Sequence, residues 1–557
     1  MKLLKQKTNK EYGKNGSLFC MAMKSMEDGI APYWSFSKSL VKEGDTITAN
    51  RYFTDIISSG NTAFYATNND KIYKYSSNEW SIIGNVAGYT IGFDRSVTTN
   101  LIFPNGNYVG IGTGLSSSPS FNFSWKALTS LTTEEQPVEN YESFTFIGNG
   151  YQIAGFSGGG DDFASNMFEL PASFKIKRIK SGKNGVLIGV NEGSHSYLVL
   201  WDGYSEVAIT PWIPLHHQIV DICKYDGYWI VMTIDGYFHQ TDGYSVKELT
   251  HFDGIDGQIG FYGGITATRD KLFVSAGHGI STTYGGTDPR RLAGVHIYDL
   301  KTGLWSFCPF NNFGNAHAGA VCIDYLNGSG TIWIATSYAD DSDSGAVYPM
   351  RLTEGSYGGV SRSFYISKPF QNDKVAVIKG VFVKSGFISG YGFDTQSSIP
   401  LTLTAKVAGV DRPLFMRGFT NSASADKTLV VVDGTQTGCN TAEVGDEIMF
   451  LADKNYGETR HIASIADKDT NKERWTVDSA FTNTIATSMP IMITPFKTLG
   501  TRTVYSGKLE ELYFECQQKI KSRDFYVKVD IQDSSGYISR LKIDEIGVLI
   551  KDLRFET

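Results

Sequence analysis

The sequence is poor in the residue groupings from which reaction centres are built. Its six cysteines, Cys20, Cys223, Cys308, Cys322, Cys439 and Cys516, are scattered, with no CxxC pair and no histidine cluster at zinc spacing. That pattern predicts buried free thiols. There is no phosphate-binding glycine loop, no dinucleotide fingerprint, no GxSxG elbow and no HExxH pair. The formal charge of -7 over 557 residues supplies no basic field for a nucleic acid or an anionic membrane. No run of about 18 apolar residues occurs, so no membrane-spanning segment is expected. The lysines of the first ten residues are not followed by an apolar stretch, so a secretory signal is not expected either, and synthesis in a cytoplasm is.

What the chain has in excess is glycine and aromatic side chains. Glycine is 59 of 557 residues and aromatics are 13 per cent, which favours many turns and many strands. The organising stretch is residues 183–252, which says the same thing twice. Val186-Leu187-Ile188 and Val190 lead through Tyr197 to Leu200 into Trp201-Asp202-Gly203-Tyr204-Ser205. Some forty residues later Trp229 to Met232 lead through Asp235-Gly236 and Tyr237-Phe238 into Asp242-Gly243-Tyr244-Ser245. Apolar strands joined by tight Asp-Gly turns make a four-stranded antiparallel unit, and repeats of this length predict propeller blades.

Seven such units can be laid out, beginning near residues 50, 91, 141, 183, 229, 259 and 318, with inner strands expected at Phe64, Val109, Ile153, Leu187, Val231, Phe273 and Ile334. The pattern ends near Gly359. Strands return at Phe364-Tyr365-Ile366, Val375 to Val383, Leu401 to Ala405, Leu512-Tyr513-Phe514, Phe525 to Ile531 and Ile546 to Ile550, around a segment with 11 acids and 7 bases. The expectation is an all-β chain: an N-terminal arm and first hairpin (1–49), a propeller of about seven blades (50–359), a β-sandwich (360–417 with 498–557) and a small β domain inserted in it (418–497). Residues 1–16, with five lysines, read as a flexible arm.

The search for chemistry yields single features. Asp340-Asp341-Ser342-Asp343-Ser344-Gly345 offers alternate carboxylates, with Asp341 and Asp343 the metal candidates, but lacks the downstream Glu of an EF-hand loop. Abundant Asp, Ser and Gly are also what an ordinary turn contains. Asp161-Asp162 is one adjacent acid pair, which cannot set the fixed separation that glycoside hydrolysis needs. His216-His217, taken as strand residues, would point to opposite faces. Arg290-Arg291 follows Asp288-Pro289 as an exposed turn. No catalytic residue and no cofactor is expected.

Three resemblances remain. His296 to Trp305 resembles the end of a Kelch-type blade, and Asp343, Gly345 and Tyr348 are similar to part of a sialidase Asp-box, with Asp341 where that box has Ser or Thr. Propeller, sandwich and insertion together resemble the structural β proteins of tailed-bacteriophage virions, the tail nozzle, hub or tip components. That resemblance implies a non-enzymatic virion subunit that forms a homo-oligomeric ring with other tail proteins and lets DNA pass without sequence-specific binding. The alternatives are a carbohydrate-binding or glycan-cleaving propeller and a Kelch-like scaffold.

Overall fold

The computed structural model describes the chain apart from residues 8–16, 22, 27–28, 33, 37–53, 59–63, 68–70, 77–78, 86–89, 94–99, 116–117, 132–134, 158–161, 253–261, 277–293, 310–315, 325–330, 339–348, 355–361, 388–400, 410–413, 415, 437, 451–454, 456–457, 505–508, 533–540 and 554–557. The described residues contain strands and turns and no helix. They group into two compact units: Ser39–His278 with Asn315–Leu352, and Met1–Lys38 with Gly279–Gly314 and Thr353–Thr557.

The first unit is the propeller. Five complete four-stranded antiparallel blades start at the strands Asp55–Ser58, Gly92–Phe93, Val138–Tyr141, Lys175–Gly182 and Ile219–Tyr225. The sixth contributes the pair Tyr262–Ala267 and Lys271–Ala276, and the seventh the meander Ala316–Asp324, Thr331–Tyr338, Pro349–Glu354. Seven first strands surround one axial cavity, and that of blade 7 packs against that of blade 1 to close the ring.

Blade-to-blade packing explains why the middle strands carry runs of consecutive apolar residues, such as Val186-Leu187-Ile188 and Trp229-Ile230-Val231-Met232. Side chains alternate between faces along a strand, and here both faces are covered. Val186 and Ile188 pack toward Phe146, Ile153 and Phe168 of blade 3. Leu187 between them packs toward Ile222, Trp229 and Val231 of blade 5.

These doubly buried strands are the ones the sequence pattern marks as inner, and the marking is displaced. Phe64, Leu187, Val231, Phe273 and Ile334 lie on second strands, and Val109 and Ile153 on third strands. The true inner strands are shorter in apolar content because one edge looks into the cavity.

One further expectation is corrected by the second unit. Lys2–Lys7 is a strand paired antiparallel with Leu541–Asp552, Lys2 opposite Ile550, and not a flexible arm. Leu4 packs against the sandwich core, which is the driving force the lysine count concealed. Phe307 of the hairpin Gly294–Asp299 and Trp305–Pro309 packs with Phe364 and Ile366.

The sandwich has two layers. One runs Ser17–Met21, Arg362–Ser367, Lys521–Gln532, Leu401–Gly409, Lys497–Val504. The other runs Glu510–Glu515, Phe370–Phe387, Leu541–Asp552, Lys2–Lys7. Val527, Val529, Leu403 and Ala405 of the first meet Val381, Val383, Val548 and Ile550 of the second in one buried core.

Between two paired sandwich strands the chain departs into a closed six-stranded barrel, Met416–Ser422 to Pro490–Thr494, filled by Trp475, Ile448, Phe450 and Ile491. Val407 and Lys497 are register partners, so the insertion's ends lie side by side.

The barrel is not loosely tethered. Glu447 of the barrel reaches Lys406 and Lys528 of the sandwich, the latter at 2.5 Å, and Asp530 joins both lysines at 2.5 and 3.3 Å. Lys528 lies 4.7 Å over the Phe364 ring and is 0 % exposed.

Candidate axial site in the propeller

The cavity on the propeller axis has a volume of about 890 Å³. Six ionisable side chains other than thiols line it, three of each sign: Asp55, Glu139 and Asp221, with Arg178, Lys180 and Lys224. Each comes from a first strand, and local irregularity aims several of them. A register shift between Ile176 and Arg178 marks a bulge at Lys177, so that consecutive Lys177 and Arg178 both reach the carboxylate of Glu135, which precedes the first strand of blade 3. The same shift recurs between Ile219 and Asp221 and between Tyr262 and Gly264.

The bulges place a chain of contacts from blade to blade. Arg178 Nε donates to Asp221 Oδ1 at 2.8 Å, and Asp221 Oδ2 accepts from the Ile265 backbone N–H of blade 6 at 2.8 Å. Gly264 makes room for that carboxylate: a Cβ there would stand 2.8 Å from Asp221 Oδ2. Asp55 repeats the device in blade 1, accepting from its neighbour Ile56 N–H at 2.9 Å and from Ile91 N–H of blade 2 at 3.1 Å. Asn140 of blade 3 donates to Phe93 O of blade 2 at 3.0 Å. A second belt joins blades 3, 4 and 5, where Glu139 Oε1 accepts from Ser181 Oγ at 2.6 Å and from Lys224 Nζ at 2.7 Å.

The protonation states follow. Burial works to raise the pKa of Glu135, and the charges of Arg178 and Lys177 outweigh it, so the carboxyl is held below its usual range. Burial opposes ionisation of Glu139 in the same way, and Lys180 and Lys224 prevail. Asp55 is different. Burial pushes it up to about 6, only partly countered by the Lys180 charge and the Ile91 hydrogen bond. Burial also tends to neutralise Lys180, yet Glu139, Asp221 and Asp55 keep its pKa above the ordinary lysine value. Its ion pair with Glu139 is long, at 3.8 Å. The buried Cys223 thiol is pushed up by its surroundings, which removes it as a nucleophile. A carboxyl that titrates near neutrality and a loosely paired ammonium are therefore the two groups a small polar occupant of this cavity would meet.

None of these residues was singled out by motif. The signal was present as isolated charges in strands bounded by apolar neighbours, which no spacing rule joins. Of the features that were singled out, Asp341 and Asp343, Arg290-Arg291 and Asp161 lie outside the described residues. Asp162 accepts from the Ser157 hydroxyl and, at 2.7 Å, from the Ser157 backbone N–H as a turn residue, and the hydroxyl bond first and the backbone bond second lower its pKa. His216 and His217 sit in an exposed bend after the Ile213–Leu215 strand and not in a strand, and His217 Nε2 lies 3.1 Å from Asp235 Oδ2.

The two Asp-Gly-Tyr-Ser turns form as one device. Asp202 Oδ1 accepts from the backbone N–H groups of Tyr204 and Ser205, both at 2.8 Å, and Asp242 Oδ1 from those of Tyr244 and Ser245 at 2.9 and 2.8 Å. Gly203 and Gly243 take φ of 87° and 90°, which glycine adopts without strain. The turns leave Tyr204 51 % and Tyr244 57 % exposed.

No family model matches the chain, and no curated protein matches it. Among solved structures it is similar to the WD40 domain of Pan2 from Neurospora crassa, at 9 % identity and a TM-score of 0.37 over 58 % of this chain and 95 % of that one. It is similar also to Raptor from Chaetomium thermophilum, at 12 % identity and a TM-score of 0.40 over 56 % and 30 %. The computationally designed protein Ika8 matches at 8 % identity and a TM-score of 0.36 over 57 % and 95 %.

Proposed function

We propose that the chain is a non-enzymatic structural subunit of a symmetric assembly, of the tail nozzle, hub or tip kind that its architecture resembles, built in a host cytoplasm and working in a virion beside other tail proteins. The observation that carries this reading is the use made of the axial charges. Arg178, Glu139, Asp221 and Lys224 brace one blade against the next, as a load-resisting block requires, and the buried Lys406, Glu447 and Lys528, with the half-buried Asp530, fix the barrel on the sandwich in the same manner. If the assembly surrounds a DNA path, its lumen is neutral or acidic, because phosphate-bound lysines would hold the polyanion in place. Electron microscopy of the native particle is the test. A ring containing this chain is expected; a free monomer that cleaves a defined glycan, with no particle attached, overturns the proposal.

A second reading is favoured by one observation, the paired display of Tyr204 and Tyr244, since exposed rings on rigid turns stack on sugar faces. Calorimetry with glycans separates the two readings. Binding that is lost in Tyr204→Ala and Tyr244→Ala together, with unfolding unchanged, favours a carbohydrate-binding propeller.

A further inference from the structure

The sandwich layer that contains the N-terminal strand has edges of opposite charge. Its strand order is Lys2–Lys7, Leu541–Asp552, Phe370–Phe387, Glu510–Glu515, every neighbour antiparallel, and the hairpin Met23–Met26 with Gly29–Pro32 joins Leu541–Asp552 past the end of Lys2–Lys7, with Ile30 opposite Ile543. Among the described residues the Lys2–Lys7 strand pairs with Leu541–Asp552 alone, and the Glu510–Glu515 strand with Phe370–Phe387 alone. One edge reads Lys-Leu-Leu-Lys-Gln-Lys and the other Glu-Glu-Leu-Tyr-Phe-Glu.

The register puts the two edges on a common footing. Lys5, Gly547, Phe382 and Tyr513 form one row across the layer, and Leu3, Leu549, Gly380 and Glu515 form the next. Leu3 and Lys5 therefore share an outer face with Tyr513 and Glu515, while Leu4 and Phe514 share the core face. On that outer face Leu3 is 42 % and Tyr513 39 % exposed, apolar surface that a further strand would cover. Lys5 already answers Glu545 within the chain at 3.0 Å, which holds the basic edge in shape.

We propose that these edges join two copies of the chain, the Lys2–Lys7 strand of one adding antiparallel to the Glu510–Glu515 strand of the next. The argument has three parts. Four strands in strict alternation end with opposite directions at the two edges, so a copy shifted along the layer meets its neighbour antiparallel and extends the sheet without a break. Unpaired edge strands carry backbone donors and acceptors that strand addition satisfies. Charge then selects the partner: basic edge against basic edge and acidic against acidic repel, so a two-fold dimer through either edge is disfavoured and head-to-tail pairing is favoured. A head-to-tail interface closes into a ring or runs into a filament according to its rotation. This inference rests on the structural-subunit reading and gives it a contact.

The experiment is sedimentation of the full chain at low and high salt. Wild-type chain is expected to associate, less so as salt screens the edges. Lys2→Glu with Lys5→Glu should weaken association about tenfold or more, and Glu511→Lys with Glu515→Lys should do the same. Reversal of both edges in one chain should restore association, and so should mixing the two single-edge variants, which a merely misfolded variant would not do. Wild-type chain that stays monomeric at low salt, or a both-edge reversal that behaves like a single-edge one, overturns the edge pairing. The outcomes are separable from those of the tail reading: restored association with no particle containing the chain keeps the edges and removes the tail, and a ring in the particle without charge rescue does the reverse.

Discussion

At the scale of single residues, Asp55 and Glu447 are carboxyls whose surroundings move them in opposite directions. The Asp55 pKa stands at about 6 in the folded chain against about 3.9 unfolded. Between those values the folded chain keeps a proton that the unfolded chain has released, so this group's contribution to stability falls as pH rises through the window. Asp55→Asn should remove that slope. The variant's unfolding free energy, measured by urea titration, should gain on wild type between pH 4 and pH 7, and an unchanged difference would refute the assignment. Burial opposes the charge on Glu447 too, but Lys406 and Lys528 pull its pKa down to about 2. Its contribution is full above the unfolded value of about 4.3 and is lost as pH falls from there toward 2. Arg178→Ala leaves Glu135 and Asp221 facing each other's blades without the guanidinium between them, and because these pairs are half-buried the loss should fall between about 1 kcal/mol, as for an exposed pair, and about 3 kcal/mol, as for a buried one. Denaturant unfolding checks this, with a loss below about 0.5 kcal/mol counting against a bracing role.

At the scale of elements, the Asp-Gly-Tyr-Ser turns were legible because their chemistry is local. A carboxylate that caps two backbone N–H groups needs only its own next three residues. Asp202→Ala and Asp242→Ala should each cost about 1 kcal/mol, and the double variant their sum, since each carboxylate holds backbone N–H groups of its own turn. A calorimetric deficit much larger than additive would show that the turns support each other. The inner strands were misplaced for the opposite reason. A strand's hydrophobicity reports how many of its faces are covered, not its distance from the axis, and the most apolar strands are the middle ones. The strand at Lys2–Lys7 was missed because three lysines outweigh two leucines in any composition count, whereas Leu4 alone suffices to orient the strand once Leu541–Asp552 offers its edge.

At the scale of the molecule, the question is how independent the modules are. Replacing residues 418–497 with a short Gly-Ser linker removes Glu447 and strips cover from Phe364, Ile366 and Ala408. Thermal unfolding should then show the propeller transition retained and the sandwich transition lowered. Adding Lys528→Met to the deletion should recover part of the loss, because the deletion leaves two lysines, Lys406 and Lys528, to share the single carboxylate of Asp530. Loss of the propeller transition, or no recovery, would contradict this picture.

The sequence by itself determined the all-β class, the repeat, the approximate blade number and the presence of an insertion, since each is written in periodicity and turn residues that neighbours in sequence supply. Only the tertiary structure decided which strand of each blade faces the axis, that Asp55, Arg178 and Asp221 meet there, and that Glu447 sits between Lys406 and Lys528. Those residues are drawn from different blades or from strands on either side of an insertion, and an ion pair across such a distance has no periodicity to announce it. A lone charge in an apolar strand looks the same in the sequence whether its partner is water or another blade.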